Sequence, residues 1–217
     1  MSLDLEKPII YLITNGQTTS STTPESADFL RLLNLVEAAV DAEIPLLQIR
    51  EKKLSARVLF ELTIRAVKLV QGSSTRLLVN DRADIAVAAG AEGVHLTSAS
   101  LPAGAIRQTY GPELIIGVST HAVAEAQAAK SGGADFVVFG PVFETESKRV
   151  FGEPQGPEKL AEVTASVPEL PVIAVGGISL GNFQQCLEAG AAGIAAIRLL
   201  NDSSRLPSIV SQMRSQL

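Results

Sequence analysis

Leu114-Ile115-Ile116-Gly117-Val118-Ser119-Thr120, the stretch His121 to Gly132, and Asp135-Phe136-Val137-Val138-Phe139-Gly140-Pro141 together decide the fold. The first and last pieces are short and almost continuously apolar. A strand buried on both faces reads this way, as in a parallel sheet covered by helices. The piece between them is longer and carries a helical period.

Working outward, the same alternation fills the chain. Further apolar runs lie at Ile9–Thr14, Leu46–Arg50, Arg76–Asn80, Gly93–Thr97, Pro171–Gly177 and Gly193–Leu200. Helical periods lie near 30–43, 55–71, 82–90, 102–110, 156–167, 180–190 and 204–216. Eight strands alternating with eight helices predict a (β/α)8 TIM barrel, with residues 1–217 as one domain. A doubly wound open sheet is the weaker alternative, because no glycine-rich dinucleotide turn follows the first strand. Ala89-Gly90-Ala91-Glu92-Gly93-Val94, Gly132-Gly133-Ala134-Asp135-Phe136-Val137 and Ala189-Gly190-Ala191-Ala192-Gly193-Ile194 share one shape. Each places glycine at a helix end, where it permits a left-handed cap, and then a strand.

Composition narrows the function. The 217 residues are 46% apolar and 19% charged, enough to bury a sizeable core. Eighteen Lys and Arg against 23 Asp and Glu give a net charge of −5. With no basic run, that balance argues against nucleic-acid or anionic-membrane binding. A single cysteine, Cys186, excludes an internal disulfide framework, and His95 and His121 are too few for a histidine-rich metal centre. No stretch reaches the ~18–20 apolar residues of a membrane span. The start, MSLDLEKPIIYLIT, does not read as a signal peptide. A soluble, cytoplasmic protein is expected; oligomeric state is not readable.

In a barrel, polar residues at the carboxyl ends of strands carry the chemistry. Strand two ends Gln48-Ile49-Arg50-Glu51-Lys52. Alternation points Gln48 and Arg50 to one side and leaves Lys52 in the loop. These cations either meet an anionic ligand or pair with Glu51 at the rim. Strand three ends Asn80-Asp81-Arg82, where Asp81 either caps the next helix or holds a divalent cation. His95 closes strand four and reads more readily as a core group than as a catalyst. Strand five ends Ser119-Thr120-His121; His121 opens the next helix and suits acid–base chemistry near neutral pH. After strand six comes Glu144-Thr145-Glu146-Ser147-Lys148-Arg149, a loop suited to a phosphate clamp. Strand seven ends Gly176-Gly177, where backbone can approach an anion. Strand eight ends near Arg198. Jointly these residues predict a phosphorylated substrate with a second anionic group beside it.

Gln48-Ile49-Arg50-Glu51-Lys52, Asn80-Asp81-Arg82, Gly93-Val94-His95-Leu96, Gly117-Val118-Ser119-Thr120-His121, Gly140-Pro141-Val142-Phe143 and Gly176-Gly177-Ile178 resemble the thiamine-phosphate synthases and their relatives, the thiazole tautomerases. The resemblance covers nearly the whole chain. It implies a transferase of thiamine biosynthesis that joins hydroxymethylpyrimidine diphosphate to thiazole phosphate and releases pyrophosphate. It implies that Arg50, Lys52, Asn80 and Lys148 hold the diphosphate and that Asp81 binds Mg²⁺. Gln48 and Ser119 would orient the pyrimidine, while Thr145, Ser147 and the backbone at Gly177 would hold the thiazole phosphate.

The chain departs from the synthase pattern in two places. Ser100 in Thr97-Ser98-Ala99-Ser100-Leu101 stands where synthases carry a second metal-binding Asp. Ile197-Arg198 replaces the usual Val-Ser pair, so Arg198 either strengthens phosphate binding or fills the pocket. Phe143-Glu144-Thr145-Glu146 looks more like the tautomerases, which isomerise the thiazole without metal and use a histidine at the place of His121. A thiazole tautomerase, and a non-catalytic binder of a phosphorylated thiamine precursor, are therefore the alternatives.

Overall fold

A computed structural model describes Leu5, residues 7–145 and residues 153–217. Its elements alternate as the sequence predicts: β1 (Ile9–Ile13), α1 (Ala27–Asp41), β2 (Leu46–Ile49), α2 (Ala56–Val70), β3 (Arg76–Asn80), α3 (Ala83–Ala89), β4 (Gly93–Leu96) and α4 (Ala103–Tyr110). They continue with β5 (Ile115–Thr120), α5 (Val123–Ser131), β6 (Phe136–Phe139), α6 (Gly156–Ser166), β7 (Val172–Val175), α7 (Phe183–Glu188), β8 (Gly193–Ala196) and α8 (Leu206–Ser215). The strands follow one another around a closed barrel in chain order, and the pairs β1–β2, β2–β3, β5–β6, β6–β7 and β7–β8 are parallel.

Every residue of β1, β2, β4, β6 and β8 is buried, which is why these runs look continuously apolar. The helices bury one stripe each. In α1 it is Phe29, Leu32, Leu35, Val36 and Ala39, spaced at helical intervals. In α2 it is Leu59, Leu62, Thr63, Ala66 and Val70, and Ser55 Oγ caps this helix from Val58 N–H at 3.3 Å. No helix among the described residues is long and apolar enough to cross a membrane.

The chain forms two compact units: Met1–Ile10 with His95–Ala196, and Tyr11–Val94 with Ile197–Leu217. Within the first, Gly117 and Phe136 are register partners in β5 and β6. A Cβ on Gly117 would stand 2.3 Å from the Phe136 ring, so this strand position has room for glycine alone. Gly117→Ala is expected to cost about 1–3 kcal/mol through overpacking. Thermal unfolding checks this; an unchanged midpoint would show that the Phe136 ring moves aside freely.

Two boundaries differ from expectation. Strand eight stops at Ala196, not Leu200, and Arg198 sits exposed in the following turn. Asn201 Nδ2 donates to Ile197 O and Ile13 O, both at 2.7 Å, so a side chain takes the carbonyl with which the strand would have continued. Helix α5 starts at Val123, leaving His121 in the bend before it.

Candidate active site

In the unit Tyr11–Val94 with Ile197–Leu217, the site begins with the β2–β3 register. Gln48 pairs with Leu78 and Ile49 with Val79, so the next step sets Arg50 beside Asn80. Gln48, Arg50 and Asn80 share one face by strand alternation. Tyr11, paired with Leu46, lies on the same face of β1. Gln48, 1% exposed, donates Nε2–H to the Tyr11 hydroxyl at 2.7 Å. Burial pushes the Tyr11 phenol far above its ordinary range, and the Gln48 bond offsets this only in part, so the phenol stays neutral. Tyr11 was not legible as a site residue. The available signal was a phenol in an otherwise apolar strand, since a buried hydroxyl needs a partner.

The Arg50 N–H donates to Thr14 Oγ1 at 2.8 Å. Its half-buried guanidinium has no carboxylate partner among the described residues, and neither has the exposed ammonium of Lys52. The rim pair with Glu51 does not form. Glu51 is 3% exposed and accepts from Gly16 N–H, Thr18 N–H and Thr18 Oγ1–H instead. Two neighbouring cations with no carboxylate partner among the described residues suit an anionic ligand.

Asp81 does not cap α3. The cap position is Arg82, and no side chain bonds there. Asp81 takes a left-handed backbone, φ +60°, and Asn80 Nδ2 donates to its Oδ2 at 2.8 Å. Asn80 Oδ1 is buried with no hydrogen-bond partner among the described residues. A carboxylate next to an amide oxygen in need of a partner is a hard-oxygen donor pair, and Mg²⁺ needs only one or two carboxylates when substrate phosphates and water complete its shell. Among the described residues no three His, Cys, Asp or Glu cluster as a protein-only metal cage. The two residues thus fit a metal that arrives with a diphosphate.

In the unit Met1–Ile10 with His95–Ala196, His95 is 3% exposed and its Nε2 lies 2.9 Å from Ser119 Oγ. Its ring is tilted on Phe136 with centroids 6.1 Å apart. It is a core histidine that also fixes a site hydroxyl. His121 Nδ1 bonds the Gly140 carbonyl, its N–H donates to Glu125 Oε2 at 2.6 Å, and its carbonyl accepts from Gln155 Nε2 at 2.8 Å. A carbonyl accepts only, so Nδ1 carries the proton and Nε2 keeps the lone pair in the neutral ring. Ser100 Oγ accepts from Thr97 N–H at 2.6 Å, so at the position of the expected second carboxylate the hydroxyl serves its own loop.

The loop after β6 is tied at both roots. Val142 N–H donates to Val175 O at 2.8 Å and Phe143 N–H to Gly176 O at 3.0 Å. Gln155 and Gly156 N–H return to Pro141 O and Val142 O at 2.9 and 3.0 Å. Gly177 lies under this loop with φ +65°, and a Cβ there would stand 2.5 Å from Glu144 O. Asn182 Nδ2 takes the Gly177 carbonyl at 2.9 Å, while the Gly177 N–H has no acceptor among the described residues. Thr145 is half-buried at the near end of the loop. Glu146, Ser147, Lys148 and Arg149 lie outside the described residues.

Gln48 and Arg50 of β2, Asn80 and Asp81 of β3, Ser119 and His121 of β5, Gly177 of β7 and Arg198 of β8 therefore stand at or just beyond the carboxyl ends of their own strands, while Lys52 and Thr145 lie further along the loops after β2 and β6. A separate cavity of about 410 Å³, lined by Asn15, Thr18, Arg31, Glu51, Asn201 and Asp202 among others, contains none of the expected ligand-binding residues.

A family model described as thiamine monophosphate synthase matches residues 10–200. A homologue from Geobacter sulfurreducens is 47% identical over 166 residues, 76% of this chain and 78% of its own. The thiamine-phosphate synthase of Chlorobium limicola is 41% identical over 163 residues, covering 75% of this chain and 77% of that one. That of Roseiflexus sp. (strain RS-1) is 38% identical over 189 residues, covering 87% and 76%. Among solved structures, the thiamine phosphate pyrophosphorylase of Pyrococcus furiosus superposes with a TM-score of 0.80 at 27% identity, over 96% of this chain and 94% of that one.

Proposed function

Since this chain belongs to the thiamine monophosphate synthase family, we propose that it is a transferase of thiamine biosynthesis, joining hydroxymethylpyrimidine diphosphate to thiazole phosphate. The observation that carries the reading is the pair Arg50 and Asn80–Asp81 on neighbouring strands: a cation with no carboxylate partner among the described residues, beside a hard-oxygen pair. The tautomerase and non-catalytic readings draw no support from the named relatives.

In the reaction the bond from the pyrimidine methylene carbon to the diphosphate oxygen breaks, and its electron pair leaves with that oxygen. The thiazole nitrogen supplies the pair for the new carbon–nitrogen bond, and pyrophosphate departs. Charge grows on the leaving group, so preorganised cations and donors accelerate the step more than a protein nucleophile does. Arg50, Lys52, Asn80 and Lys148 hold the diphosphate. Gln48, its amide turned by Tyr11, and Ser119, held by His95, contact the pyrimidine. Thr145, Ser147 and the Gly177 N–H receive the thiazole phosphate, with Arg198 as an exposed cation in reach of solvent-borne anions. His121 offers Nε2 as a proton acceptor. Asp81, with Asn80 Oδ1, would hold Mg²⁺, which when bound neutralises charge on the departing diphosphate. The reading takes residues 1–217 as one domain working on small phosphorylated molecules in the cytoplasm.

Incubation with both substrates and Mg²⁺ yields thiamine phosphate on this reading, identified by chromatography against a standard; absence of product sinks it. The metal half has its own test. Ser100→Asp restores a second carboxylate and is expected to lower the Mg²⁺ concentration for half-maximal rate about tenfold, roughly one charge-assisted contact. Identical titrations in both proteins would place Ser100 away from the metal.

A further inference from the structure

Glu51 is a buried acid within a cationic motif, and none of the roles above uses it. It lies between Arg50 and Lys52 yet pairs with neither. Its Oε1 accepts from Gly16 N–H at 3.1 Å, and its Oε2 from Thr18 N–H at 3.2 Å and Thr18 Oγ1–H at 2.6 Å. Thr18 is itself 2% exposed. The carboxylate thus gathers the first residues of the β1–α1 loop onto the end of β2. The loop lies against Arg50: a Cβ on Gly16 would stand 3.4 Å from Arg50 O and 3.7 Å from Arg50 Nη1. Beyond the clasp the loop is bonded to itself and to the start of α1, Thr19 N–H to Thr22 Oγ1 at 3.0 Å, Thr22 Oγ1–H to Asp28 of α1, and Thr23 N–H to Ser26 Oγ at 2.9 Å.

We infer that Glu51 is a positioning residue: its carboxylate clamps Gly16–Thr18 as a wall beside Arg50, which holds the guanidinium ready for a diphosphate. The inference rests on the reading of Arg50 as a diphosphate ligand. Strand alternation makes the clamp possible. Arg50 and Glu51 point to opposite sides of β2, so the acid secures the loop without neutralising its neighbour. A clamp and a bare charge make opposite predictions. Removing a negative charge near an anion site tightens anion binding by Coulomb's law, whereas releasing the wall loosens it.

The test uses inorganic pyrophosphate with Mg²⁺ as probe, thiazole phosphate as control, and calorimetry. Glu51→Gln keeps the shape and one acceptor oxygen but sets an amide N–H₂ against a backbone donor. It is expected to weaken pyrophosphate binding about tenfold and to leave thiazole phosphate affinity unchanged. Amide exchange at residues 15–19 should rise with it. Thr18→Val removes only the hydroxyl donor and should shift pyrophosphate affinity the same way by less. The double variant should be no worse than Glu51→Gln, since both remove one clamp. Should Glu51→Gln fold poorly, Thr18→Val alone still decides the matter. Unchanged or tighter pyrophosphate binding in the variants overturns the clamp, as does an equal loss for both ligands. A wild-type protein that ignores pyrophosphate overturns the Arg50 reading and the clamp with it.

Discussion

Arg50→Ala is expected to lower kcat/KM by about a hundredfold or more. The guanidinium is half-buried, its backbone is pinned to Thr14, and among the described residues it has no carboxylate partner. Its removal therefore breaks no ion pair among the described residues and is expected to cost the fold little. On the proposed role, what is lost is contact with the diphosphate. Hydrogen bonds to charged groups contribute ~1.5–3 kcal/mol each, and a guanidinium makes two to a phosphate. Each ~1.4 kcal/mol is tenfold in rate. Arg50→Lys should recover little, because an ammonium lacks the planar fork. Steady-state kinetics with the pyrimidine diphosphate varied, alongside thermal unfolding, checks both halves. A rate within threefold of wild type would remove Arg50 from the machinery. A large fall in the unfolding midpoint would make its role structural.

The second large effect is expected at Asp81. Asp81→Asn keeps the size and the partner position of Asn80 but removes the only carboxylate proposed to hold Mg²⁺. The half-saturating Mg²⁺ concentration should rise at least tenfold, and the rate at fixed Mg²⁺ should fall by about a hundredfold, the scale of a metal's contribution to stabilising charge on a leaving group. The left-handed backbone at Asp81, φ +60°, is one that Asn adopts readily, so the variant separates charge from conformation. Superimposable Mg²⁺ titrations would exclude the carboxylate as a ligand.

The barrel was legible because strands buried on both faces leave an unmistakable apolar run, and each such run became a strand. What the sequence hid turns on side-chain hydrogen bonds, to backbone or to other side chains. Strand eight looked longer because Ile197, Leu199 and Leu200 continue the apolar run, whereas Asn201 takes the carbonyl that a further strand residue would have used. Of the two readings of Asp81, the helix cap fails because its positive φ turns the carboxylate toward Asn80 instead. The rim ion pair with Glu51, the alternative reading of Arg50 and Lys52, fails because neighbours on a strand face opposite ways. The true partners of Glu51 lie 33 and 35 residues away. Tyr11 and His95 support Gln48 and Ser119 through hydrogen bonds between strands, which no local pattern encodes. The positions proposed to bear chemistry were legible mainly through family resemblance, while the residues that hold them in place required coordinates.

Pyrophosphate release, followed by a coupled assay in which each substrate and Mg²⁺ is omitted in turn, tests the central claim most directly. The account predicts release only when both substrates and Mg²⁺ are present, with a rate that depends on thiazole phosphate. Silence with all three present, or release that ignores thiazole phosphate or Mg²⁺, would contradict it.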